Sequence, residues 1–91
     1  GLNAANKALK VFRNAMYVCA IEMLVASQAL EFRRPLEPGR GTALAYKIIR
    51  DHVNPLNVDR ILYTDIESVV KLLENNIILD RLKSELSLEL V

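Results

Sequence analysis

Ala15-Met16-Tyr17-Val18-Cys19-Ala20-Ile21-Glu22-Met23-Leu24-Val25-Ala26 holds a single charge in twelve positions, and its reading decides the fold. Extended outward, it lies inside a longer pattern. Leu2, Ala5, Leu9, Phe12, Met16, Cys19, Met23, Ala26 and Leu30 recur at alternating steps of three and four, and all are apolar. That is the seam of a helix packed along a neighbour. A second seam runs beside it through Ala4, Ala8, Val11, Ala15, Val18, Val25, Ala29 and Phe32, interrupted by Glu22. A helix apolar on every side is normally covered on every side. At ~1.5 Å per residue it reaches roughly 45 Å, longer than so small a domain is wide. The rod is expected to belong inside something larger.

The composition agrees. In 91 residues, 52% hydrophobic content is rich for a small monomer, and a chain of this length buries only about 60–65% of its unfolded surface. The excess predicts partners. A formal net charge of +1, with both signs scattered, gives no electrostatic grip on nucleic acid or an anionic membrane. A transmembrane reading is not favoured: the most apolar run falls short of the ~20 residues a bilayer needs and carries Glu22, Ser27 and Gln28. Cys19 is the sole cysteine, so an internal disulfide is impossible. A reducing, cytoplasmic setting is expected, with Cys19 as a small buried hydrophobe. No signal peptide is recognised ahead of the apolar run. With no N-cap before Leu2 and the seam already in phase there, the helix reads as cut rather than begun.

The long helix is expected over about 2–34. Arg33 and Arg34 suit the negative end of its dipole, and Pro35 stops it. A connector covers about 35–41, rich in proline, glycine and arginine; its Arg33, Arg34 and Arg40 read as helix-end and solvated charges rather than an anion site. A second helix is expected over about 42–53, capped by Thr42, with Leu44, Ala45, Ile48, Ile49, His52 and Val53 inward. Asn54-Pro55 ends it. Thr64-Asp65-Ile66-Glu67 has the form of a capping box for a third helix, about 65–75, with Ile66, Val69, Val70 and Leu73 inside. A fourth follows over about 77–86, and the tail from Ser87 to Val91 is expected to fray. No stretch alternates with period two, so the fold class is all-α: one long helix followed by shorter ones.

Chemistry is hard to find. His52, the one histidine, has no second histidine, cysteine or serine nucleophile at a recognisable spacing, and reads as a half-buried structural residue. Asp59, Asp65 and Glu67 are explained by turn and cap roles. Tyr17, Tyr46 and Tyr63 have no companion base, and Gly39-Arg40-Gly41 lacks the phosphate-loop pattern. Glu22, a charge among apolar neighbours, is expected to pair with a lysine or arginine of a partner helix, since an unpaired buried carboxylate costs several kcal/mol. No catalytic, cofactor-binding or metal-ligating residue is assigned.

The order of features becomes specific from Ala20 onward. The run from Ala20 to Leu36, with Glu31-Phe32-Arg33-Arg34-Pro35-Leu36 at its end, resembles the late long helix of the histidine ammonia-lyases. Ala45-Tyr46-Lys47-Ile48-Ile49-Arg50, then Asp59-Arg60-Ile61-Leu62, then Asp65-Ile66 follow at matching distances. The likeness covers about Gly1 to Glu74 and points to the aromatic amino acid ammonia-lyase family, with Arg-Arg-Pro-Leu favouring its histidine branch. The resemblance implies an all-α homotetramer around a central multi-helix bundle, with active sites shared between subunits. It also implies elimination of ammonia from L-histidine to give urocanate, on a methylidene-imidazolone (MIO) electrophile made from an internal Ala-Ser-Gly. No such triplet occurs here; Ala26-Ser27-Gln28 is nearest and lacks the glycine. The family's catalytic tyrosine lies on an earlier loop, and its late acidic motif is expected to end before Gly1. The cofactor is therefore expected elsewhere in a parent enzyme, with none in this chain. As a C-terminal segment, the chain is expected to be non-catalytic alone and to self-associate through Leu9, Met16, Met23 and Leu30. The competing reading is a stand-alone helical interaction module or split subunit; neither reading involves nucleic acid or a membrane.

Overall fold

The computed structural model describes residues 1–56, 60 and 62–86. Four helices follow in order: α1 (Leu2–Phe32), α2 (Arg40–His52), α3 (Tyr63–Glu74) and α4 (Ile77–Leu86). No strand occurs among the described residues, so the fold is all-α. The expectations for Asp59, for the Asp59 and Ile61 positions of the resemblance block, and for the tail from Ser87 to Val91 lie outside the described residues.

α1 is unbroken, and its last turn closes with the Arg33 amide donating to the Leu30 carbonyl at 3.1 Å. It stops at Phe32 rather than Arg34, because the Leu36 amide turns back onto the Arg33 carbonyl at 3.0 Å. By length and composition α1 contains an 18-residue stretch apolar enough to cross a bilayer, with a mean hydropathy of 1.3.

α2 begins at Arg40, two residues before the expected Thr42 cap. Gly39, extended at φ −61° and ψ 165°, stands at the N-cap without a side chain. Its carbonyl receives the first helical bond from the Ala43 amide at 2.8 Å. The capping box at Thr64 also does not form. α3 starts at Tyr63 with Leu62 as its cap, and the two acids of the box are engaged elsewhere. Glu67 accepts a hydrogen bond from the Tyr17 hydroxyl of α1, while Asp65 accepts from Arg60 Nε at 2.9 Å. Between α3 and α4, Asn76 adopts φ 55°, a left-handed conformation that asparagine tolerates better than most residues. The Asp80 amide then returns to its carbonyl at 2.9 Å.

The core is built mostly by the short helices. Ile48, Ile49 and Val53 from α2 and its cap meet Val69, Val70 and Leu72 of α3 and Ile78 of α4. From α1 the fully buried apolar residue is Ala20, with Met16, Tyr17, Met23 and Leu24 packed against the core's edge. A small side chain at Ala20 lets α3, the main neighbour of α1, approach closely. His52 is exposed, contrary to expectation. Its Nδ1 lies 2.9 Å from the Ile48 carbonyl, on the rim of the last turn, where a polar ring is satisfied by a helix-end carbonyl.

The result is elongated. The Cα radius of gyration is 15.0 Å, against roughly 12 Å for a compact chain of this length. The first half of α1 projects beyond the other helices, and every residue from Gly1 to Ala15 is exposed.

Candidate functional site

Two features stand out: a polar junction where α1 meets α2, and the face of α1 that the chain leaves bare.

The junction joins the two sequence blocks that carry the family resemblance. Glu31, at the end of α1, accepts from the Tyr46 hydroxyl and from Arg50 Nε at 3.0 Å. Arg34 Nη2 donates to the Tyr46 oxygen at 3.1 Å. Both guanidiniums lie 5.4 Å from the Tyr46 ring centroid, within cation–π range. Arg50 Nη1 also holds the Val53 carbonyl at 3.2 Å, and Nη2 is buried without a partner among the described residues. The hydrogen bond from Tyr46 is the chief cause holding the Glu31 carboxyl below its ordinary value near 4.5, with Arg50 adding to it against the opposing effect of burial. A carboxylate with a depressed folded-state pKa stabilises fully above its unfolded value and loses that contribution as pH falls through the folded one. Glu31→Gln is therefore expected to be less stable than the parent at pH 7 and to lose less on acidification to pH 3. Urea melts at the two pH values check this; equal acid losses in both chains would contradict it.

Beside the junction opens a cavity of about 460 Å³. Arg34, Lys47 and Arg50 on its wall are balanced by Glu31, Glu37 and Asp51, so it offers no net pull on an anion. Arg34 is turned back onto Tyr46, while Arg33 and Arg40 are exposed. Two further clamps tie α1 down. Gln28 pairs with Leu56 through both amide groups, accepting from its N–H at 2.9 Å and donating to its carbonyl at 3.3 Å. Tyr17 donates to Glu67, and that bond, followed by burial and the Glu67 charge, raises the phenol's pKa above 10.0. These pairings join α1 to other parts of the chain, and Tyr63 is exposed. Among the described residues, no three His, Cys, Asp or Glu gather as metal ligands.

The bare face is the larger feature. Met16 and Met23, expected to self-associate, instead lie against the chain's own core. Cys19 is exposed, as is Glu22, because the short helices cover one side of α1 only. What remains in solvent is the second seam, with Val11 67% exposed, Val18 55%, Val25 65% and Phe32 81%, together with Leu2, Leu9 and Phe12 of the first seam in the projecting half of α1. Ala8, Ala15, Glu22 and Ala29 lie beside them, also exposed. Next to this stripe, Ile21, Val25, Ala29 and Phe32 form one wall of an apolar groove of about 350 Å³, with Leu56 and Leu62 opposite. An exposed apolar strip of this extent is uncommon on a soluble monomer.

The polar junction was not read from the sequence, since its members are fifteen and nineteen residues apart and no local period links them. The available signal was that Glu31-Phe32-Arg33-Arg34 and Ala45-Tyr46 through Arg50 sit in the two blocks already singled out.

Comparison with known proteins gives a consistent picture. The family model described as aromatic amino acid lyase matches residues 1–51. A histidine ammonia-lyase of Caldanaerobacter subterraneus subsp. tengcongensis is 46% identical over 85 residues, covering 93% of this chain and 17% of that protein. The histidine ammonia-lyase of Myxococcus xanthus is 43% identical, covering 92% and 16%. That of Natranaerobius thermophilus is 46% identical, covering 94% and 16%. The chain thus spans about one sixth of the length of these relatives. No solved structure matches it.

Proposed function

Because the chain belongs to the aromatic amino acid lyase family, we propose that it is the C-terminal helical part of a histidine ammonia-lyase-type enzyme, whose α1 joins subunits in a homotetramer and helps roof active sites built elsewhere. The parent reaction is the elimination of ammonia from L-histidine to give urocanate, in the cytoplasm. One observation supports the structural role: α1 leaves a largely apolar stripe, interrupted by Glu22, in solvent along the side its own helices do not touch.

The methylidene-imidazolone group belongs to the parent enzyme's other segments in this reading. Ala26-Ser27-Gln28 does not fit its precursor. Gln28 stands where the cyclising glycine is needed, its side chain is committed to Leu56, and all three residues lie within α1, with Ser27 buried. No step of the reaction is therefore assigned to residues of this chain. A bilayer is also a poorer environment for α1 than protein. Tyr17, Gln28 and Glu31 make polar contacts to α3, the following loop and α2, and Glu22 sits within the exposed stripe.

The polypeptide alone is expected to form no urocanate from L-histidine when absorbance is followed in the ultraviolet. Formation of urocanate would overturn the non-catalytic role. The alternative, a stand-alone helical interaction module, draws support from the chain's own small core. Reading the coding sequence upstream of the Gly1 codon separates the two. An open frame encoding Ala-Ser-Gly supports the lyase segment, and a start codon there supports the module.

A further inference from the structure

We draw no further inference here: the strongest candidate, the cavity beside the junction of α1 and α2 with Glu31, Tyr46 and Arg50 on its wall, carries nothing, because its lining charges balance and nothing in the structure shows what covers its open side in a chain that spans about one sixth of its relatives.

Discussion

Ile48→Ala is expected to unfold roughly 10–30 °C below the parent chain at equal concentration. Ile48 is 1% exposed and is one of the two largest fully enclosed side chains. Truncating such a residue costs about 2–5 kcal/mol, from lost transfer energy and the cavity left behind. In a domain of this size each kcal/mol moves the midpoint by about 4–8 °C. The effect is magnified here because the core is small: among the described residues, eight buried apolar residues join four helices, so few neighbours can collapse into the gap. Thermal melts by circular dichroism check it. A midpoint within a few degrees of the parent would mean that α2 is not part of the cooperative unit.

Val18→Glu combined with Val25→Glu is expected to leave helix content unchanged and to weaken self-association at least a hundredfold. Both valines are more than half exposed and lie outside the buried core, so the fold of one chain loses little. Glutamate is also the better helix former of the two. Between two chains the same changes put two carboxylates from each chain into an apolar seam, at a cost of several kcal/mol. A concentration series in the ultracentrifuge reads the result. Unchanged association would place the interface off this stripe.

The contrast between these variants follows from how α1 divides its two faces, and that division was partly legible in the sequence. The unbroken apolar period from Leu2 to Phe32 gave the long helix, and the Asn75-Asn76 break separated α3 from α4. Periodicity could not say which seam the chain uses for itself. That choice depends on where α3 lands, and Tyr17, Ala20 and Gln28 fix it through Glu67, close packing and Leu56. The capping box is absent because α3 starts at Tyr63, which puts Thr64 inside the helix, and Glu67 is drawn to Tyr17 instead. His52 and Cys19 were misplaced for one shared reason. Each lies on an apolar-looking face, but a chain with so few helices covers only part of such faces. The α1–α2 junction was invisible because Glu31, Tyr46 and Arg50 are distant in sequence, though the blocks holding them had been marked.

The central claim is that α1 is a rod with one side covered by its own chain and the other by a second copy. The most direct measurement is the light-scattering mass of the 91-residue polypeptide at tens of micromolar. The account predicts at least twice the 10.3 kDa of one chain. A mass of one chain, with α1 fully helical by circular dichroism, would contradict it.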